Sequence, residues 1–130
     1  MSWAEVSIRY RDLDPNGHVN NGAINQYFED GRVKFREELM GSLGREILTG
    51  FAIAHFEASY YSALNYPGRV EVGTVVTRIG KTSFGLGQAI FVGSREIAGA
   101  DVVSVYFDPS TGTKKPLPKE LLTVLEKASL

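Results

Sequence analysis

Hydrophobic positions along the chain change period twice, and each change marks an element boundary. Val6, Ile8 and Tyr10 alternate with polar residues between Val6 and Arg11, the period-two pattern of a strand with one buried face. The alternation stops at Asp14-Pro15-Asn16-Gly17, where proline fixes its own φ, disfavours helix in the residue before it and is followed by two turn formers. From Gly22 to Leu39 the spacing becomes three and four. Ile24, Tyr27, Phe28, Gly31, Phe35 and Leu39 fall on one helical stripe, and Asp30 and Lys34 form an i,i+4 pair on the polar side. Asn20 and Asn21 stand where a helix takes its cap, since an Asn side chain accepts from the free amides of the first turn. Gly31 sacrifices about 1 kcal/mol of helix propensity relative to Ala, which points to a sheet passing close to that turn.

After Gly41, Gly44 and Gly50 the texture is that of strands: Phe51 to Tyr61, Val70 to Ile79, Thr82 to Val92 and Ile97 to Phe107 are β-rich and separated by turn signals such as Ile79-Gly80-Lys81 and Gly93-Ser94-Arg95-Glu96. Short connections between neighbouring strands require antiparallel pairing. The expected fold is α+β: a strand, one long helix, a meander of four strands, a turn at Asp108-Pro109-Ser110-Thr111-Gly112 and a last helical turn near Lys119 to Leu125. An antiparallel sheet wrapped on the long helix would bury both apolar faces. With 130 residues, one domain spanning residues 1–130 is expected.

Composition narrows the function classes. Lys and Arg number 14 against 15 Asp and Glu, with no run of like charge, so neither a nucleic-acid footprint nor a polybasic membrane anchor is supported. There is no cysteine, which removes disulfides, a thiolate nucleophile and cysteine-based zinc sites, and two isolated histidines make a protein-only metal cage a poor expectation. Neither metal nor cofactor is therefore expected. Met1-Ser2-Trp3-Ala4-Glu5 has no basic or apolar leader pattern, and no apolar stretch approaches the ~20 residues that span a bilayer. A cytoplasmic protein without membrane insertion is expected.

Chemistry concentrates in one segment. Between Asp12 and Asn21 the chain places Asp12, Asp14, Asn16, His18, Asn20 and Asn21, too many polar groups for a core. Taken singly, each has an ordinary reading: Asp14, Asn16 and Gly17 as a turn, Asn20 as a helix cap. Together they put a loop carboxylate just ahead of a helix amino terminus. That pairing offers a nucleophile or general base and preorganised N–H donors for an oxygen that gains negative charge, the two needs of thioester hydrolysis.

The same residues carry a resemblance. Arg9-Tyr10-Arg11-Asp12-Leu13-Asp14, Gly17-His18-Val19-Asn20-Asn21, then Tyr27-Phe28-Glu29 and Arg32 resemble the signature of hotdog-fold thioesterases of the 4-hydroxybenzoyl-CoA thioesterase type. The likeness continues through Glu57-Ala58-Ser59-Tyr60-Tyr61, Gly80-Lys81-Thr82-Ser83-Phe84 and Asp108-Pro109 to Pro118-Lys119-Glu120-Leu121. It implies a hotdog fold, hydrolysis of an acyl-CoA or acyl-carrier-protein ester, and a homodimer or homotetramer with active sites at the subunit interface. The family's catalytic carboxylate matches Asp14, and the amide that polarises its carbonyl matches Asn21. The Asp-x-Asn-x-His order of the acyl-carrier-protein enzymes matches Asp14, Asn16 and His18 and implies supporting roles for the last two. The acidic residue those enzymes carry on the following strand falls at Ser59, with Glu57 two residues earlier as a substitute. Two other positions depart from relatives: Ile24, where many carry tyrosine, and Ala63, where proline is frequent. Ile24, Tyr27, Glu57 and Ser59 are the expected substrate-contacting positions.

Other polar residues have weaker claims. His18 can orient Asp14 or sit as a loop histidine bonded to backbone. His55 reads first as a structural strand histidine, yet with Glu57 it forms the single alternative acid-base pair, the pair that acyl-thioester hydration or dehydration would need. A module that binds acyl-CoA without chemistry is the third reading. Glu29 most simply pairs with Arg32 or Arg36. Arg69, Arg78, Lys81 and Arg95 are candidates for loose contact with coenzyme A phosphates. Gly80, Gly85 and Gly87 make no nucleotide-binding fingerprint, since no strand-to-helix turn follows them.

Overall fold

The computed structural model describes residues 1–129, and the side chains of all of these except Met40, Glu46 and Leu48. Strands β1 (Ser2–Ser7), β2 (Phe51–Tyr60), β3 (Arg69–Ile79), β4 (Ser83–Val92) and β5 (Arg95–Tyr106) form one antiparallel sheet in the order β1-β3-β4-β5-β2. Helix α1 (Asn21–Met40) follows β1, the one-turn α2 (Arg45–Leu48) precedes β2, and α3 (Lys119–Ala128) ends the chain. The α+β class and the antiparallel pairing agree with the hydrophobic periods. No described helix is long and apolar enough to cross a membrane.

The stripe on α1 is buried as its spacing requires: Ala23, Ile24, Tyr27, Phe28 and Phe35 belong to the core. Phe28 is fully covered and meets Phe56 of β2 edge-on, with centroids 5.8 Å apart. Gly31 is the close approach foreseen from its cost. A Cβ built there would lie 2.5 Å from Val72 Cγ1 of β3 and 3.0 Å from Gln88 Nε2 of β4. Gly31→Ala gains about 1 kcal/mol of helix propensity but overpacks a fully buried valine, a cost of up to about 3 kcal/mol. Urea unfolding is expected to show a net loss of about 1 to 2 kcal/mol for that variant.

Four expectations need correction. The first strand runs earlier than Val6 to Arg11, because its buried face is made by Ser2 and Ala4, small residues that a hydrophobic alternation does not reveal. Trp3 faces the other way, against Phe91 at 5.9 Å. After Ile8 the chain turns into a 3-10 helix at Tyr10–Asp12, leaving Tyr10 three-quarters exposed. The meander holds only for β3, β4 and β5. Strand β2 crosses to the far side and pairs with β5, while β1 takes the free edge of β3. Nor is the long helix alone on the sheet. In α3, Leu121 and Leu125 are fully buried, and the helix packs on β3 and α1. Each such leucine removes enough apolar area from water to contribute about 1.5 to 3 kcal/mol. The expected i,i+4 pair of Asp30 with Lys34 is not made among the described residues, whereas Arg9 pairs with Asp12 and Arg69 with Glu5.

Strand β2 differs from the others in leaving every residue at least partly exposed, including Ile53, Phe56 and Tyr60. A β-bulge between Ile53 and His55 resets its faces. Beyond it Phe56, Ala58 and Tyr60 point to the helical side, where Tyr60 Oη donates to Asn25 Oδ1 of α1 at 2.6 Å. His55, Glu57 and Ser59 alternate to the outer side.

Candidate active site

The segment between β1 and α1 is held at its base by one buried carboxylate. Asp12 Oδ2 accepts from Arg9 N at 3.0 Å and from Tyr27 Oη at 2.5 Å, and Oδ1 lies 3.2 Å from the Arg9 guanidinium. Its carbonyl accepts both amides of Asn20, the backbone N at 2.9 Å and Nδ2 at 3.0 Å. The Asn20 carboxamide oxygen in turn caps α1, accepting from Ala23 N at 2.7 Å. Entry to the loop, exit from it and the first two turns of α1 are thus joined at Asp12. Burial opposes ionisation of this carboxyl, but the Tyr27 hydroxyl, the Arg9 amide and the Arg9 guanidinium outweigh it and hold its pKa below the ordinary 3.8. The same burial, then the bond to Asp12 and its charge, push the Tyr27 phenol above its ordinary value, so it stays a donor.

Asn20→Ala removes the cap and one anchor of the loop together. A cost of about 1 to 2 kcal/mol in urea unfolding is expected, with a parallel fall in any activity that depends on the loop.

Above this base the loop is a tight ring. Leu13 bridges Val19, Asp14 N donates to His18 O at 2.7 Å, and Gly17 N returns to Asp14 O at 3.0 Å. Gly17 adopts φ 82°, a left-handed conformation that glycine reaches without a steric penalty. Inside the ring Asp14 Oδ1 accepts from Asn16 N at 2.9 Å and His18 N at 3.2 Å. Its Oδ2 accepts nothing from the described residues. The carboxylate is therefore fixed by one oxygen and available through the other. At the start of α1 the amides of Asn21 and Gly22 also lack a partner among the described residues, the ordinary state of a first helical turn.

Asp14, His18, Asn21 and Ile24 come together around one hollow of about 340 Å³. Its far wall is Tyr60 and the connection from Tyr61 to Leu64 that leaves β2. The sequence motif contains those tyrosines but gave them no site role, although two aromatics ending a strand before an irregular connection are a usable signal. Asn16 contributes its backbone, and its exposed side chain lies off the hollow. His18 likewise holds the ring through its backbone, bridging Asn65, and lines the hollow, with no described hydrogen bond from its imidazole.

Three expected contacts lie elsewhere. Tyr27 is buried, with its hydroxyl engaged by Asp12 behind the loop. Glu57 and Ser59 line a separate hollow of about 430 Å³ on the outer face of the sheet, with Trp3, Gly73 and Gly87. That hollow is the larger one, yet it gathers no loop carboxylate and no open helix end. Alternation puts His55 on the same outer side, so the His55 and Glu57 pair stands away from α1 as well. Among the described residues no group of three or more His, Cys, Asp or Glu could hold a metal ion.

Known proteins share this fold. A family model described as the thioesterase-like superfamily matches residues 8–125. A predicted thioesterase from Bacillus stearothermophilus is 26% identical with TM-score 0.90, covering 99% of this chain and 96% of its own. A thioesterase from Thermus thermophilus, complexed with coenzyme A and Zn, is 25% identical with TM-score 0.86, covering 98% and 92%. A 1,4-dihydroxy-2-naphthoyl-CoA thioesterase from Synechocystis, 19% identical with TM-score 0.84 and covering 95% and 94%, shares the fold. No curated protein matches the chain significantly in sequence.

Proposed function

Because the chain belongs to the thioesterase-like superfamily and is a thioester hydrolase of the hotdog type, we propose that it cleaves acyl-CoA esters with Asp14 as the reacting carboxylate. The observation that carries this reading is the Asp14 carboxylate, tied by one oxygen to two backbone amides and left open at the other, in the hollow that the first residue of α1 also lines. Oδ2 either attacks the thioester carbon, expelling the thiolate and leaving a mixed anhydride for water to hydrolyse, or takes a proton from the water that attacks. In both routes the carbonyl oxygen becomes anionic. The Asn21 amide, aided by the positive end of the helix dipole, stabilises it; one such donor is worth about 3 to 4 kcal/mol. His18 and Asn16 support the carboxylate through their backbone amides, and Ile24 shapes the acyl side of the hollow.

A homodimer, or a tetramer built from it, accompanies this reading. Its support is the exposed apolar edge strand β2, whose free backbone groups can pair with a second copy. Coenzyme A is favoured over acyl carrier protein as the carrier, since the Thermus thermophilus relative was complexed with coenzyme A.

A thiol-release assay across short, long and aromatic acyl-CoA esters, beside one acyl-carrier-protein ester, tests both parts. Release from CoA esters exceeding that from the carrier-protein ester is expected. Release from the carrier-protein ester alone would reverse the carrier assignment.

A further inference from the structure

The far wall of the Asp14 hollow is a span of chain, Tyr60 to Leu64, at the end of the exposed edge strand β2. One end of the span is tied to the ring around Asp14: Val19 N donates to Leu64 O at 2.9 Å, and the next residue, Asn65, bridges His18. The middle hangs on β5, where Ile97 O accepts from Tyr61 N at 2.8 Å and from Ser62 N at 3.3 Å. The other end is tied to α1 by a side chain. Tyr60 Oη donates to Asn25 Oδ1 at 2.6 Å, a short O–H···O bond.

Asn25 stands one helical turn beyond Asn21, and residues four apart share a helix face. The wall is therefore registered on the same helix whose first residue lines the hollow. Stability does not call for this bond. Tyr60 is 38% exposed and Asn25 is exposed, so water would serve both groups nearly as well. Phe56 already holds the middle of β2 to α1, through the Phe28 ring and the Arg32 guanidinium. What the bond supplies is position: a tyrosine has two side-chain torsions, so one bond at its tip fixes the ring and the strand end together. Without it the end of β2, which has no neighbouring strand on its outer edge in this chain, is free to swing and carry the wall with it.

We propose that Tyr60 and Asn25 are a positioning pair for thioester hydrolysis: their hydrogen bond sets the gap, between the wall and the start of α1, in which the thioester carbonyl seats. The inference rests on the hydrolase reading, with the Asn21 amide as the oxyanion donor. The carbonyl must lie about 3 Å from that amide while its carbon meets the free oxygen of Asp14. The wall opposite keeps it from drifting away from either. Small displacements matter here, since a misplacement of about 1 Å costs about a hundredfold in rate. Neither side chain needs to touch the reacting atoms, because both act through the wall.

The test measures kcat and KM for whichever of acetyl-, octanoyl- and benzoyl-CoA wild type hydrolyses fastest, in wild type, Tyr60→Phe, Asn25→Leu and the double variant. Each single change removes the hydrogen bond at nearly constant shape. Each is expected to lower kcat about tenfold with KM within about twofold of wild type. The double variant should be no slower than the singles, because both changes remove the same bond, and melting temperatures should stay within about 3 °C of wild type. Unchanged kcat in the single variants overturns the inference, as does a rise in KM alone, which would make the pair a substrate contact. Losses that multiply in the double variant also overturn it. So does a loss that vanishes as protein concentration is raised, since the pair would then be holding two subunits together. The hydrolase reading is judged separately: Asp14→Asn at full activity beside a slowed Tyr60→Phe defeats the Asp14 assignment and leaves the pair standing, whereas a wild type inactive toward all three esters removes both.

Discussion

Asp14→Asn is expected to lower kcat/KM on every hydrolysed acyl-CoA by about a hundredfold to ten-thousandfold, the range over which a positioned acid-base group contributes, with thermal unfolding close to wild type. The two halves of that outcome have different causes. Asparagine keeps an Oδ1 that can accept from Asn16 N and His18 N, so the ring between Leu13 and Val19 closes as before. It loses the negative charge that both hydrolytic routes require. KM should move little, because the Asn21 amide and the acyl pocket still hold the substrate. Residual turnover above the solution rate is expected from the helix end alone.

Asp12→Ala is expected to show the reverse coupling, losing stability and turnover together. The buried carboxylate joins Arg9, Tyr27 and, through its own residue's carbonyl, Asn20. Its removal leaves the Tyr27 hydroxyl, on a residue 1% exposed, without its acceptor. Stranding a buried donor and unpairing a charge together cost about 3 kcal/mol or more, readable as a shift of the urea midpoint at unchanged m-value. Tyr27→Phe removes one bond without stranding a neutral donor and should cost about 1 to 2 kcal/mol. A pH series separates the charge from the packing. The pKa of Asp12 is lower in the folded chain than its ordinary 3.8, so its ionised form stabilises the fold fully above that value. The stability gap between wild type and Asp12→Asn should therefore be flat from neutral pH down to about 4, then shrink as pH falls through the lowered pKa.

These two aspartates, two residues apart, mark what the sequence made legible and what it did not. Asp14 was readable because its chemistry is local: Pro15 enforces the turn, the amides that hold the carboxylate are two and four residues away, and the helix stripe begins just beyond. Asp12 acts through Tyr27, fifteen residues on, and only its burial distinguishes it from an exposed loop acid. The stripe on α1 and the role of Gly31 followed from spacing, since a helix reports its buried face by period. Strand β1 concealed its buried face in Ser2 and Ala4, which look polar or neutral on paper. The place of β2 was also hidden. Its residues suit any antiparallel neighbour, and nothing local to the connection between Tyr61 and Gly68 says that the chain crosses to β5. For the same reason Glu57 and Ser59, neighbours of the site by motif, belong to the outer face: the bulge before His55 decides which side they take.

The geometry of catalysis is tested most directly by a crystal structure of the protein with an acyl-CoA analogue in which CH2 replaces the thioester sulfur and the carbonyl is kept. The carbonyl oxygen is predicted to lie about 3 Å from the Asn21 amide, with the carbonyl carbon facing the free oxygen of Asp14. A carbonyl seated in the outer-face hollow beside Glu57 and Ser59, or bound in the first hollow with its oxygen turned away from the helix end, would contradict the account.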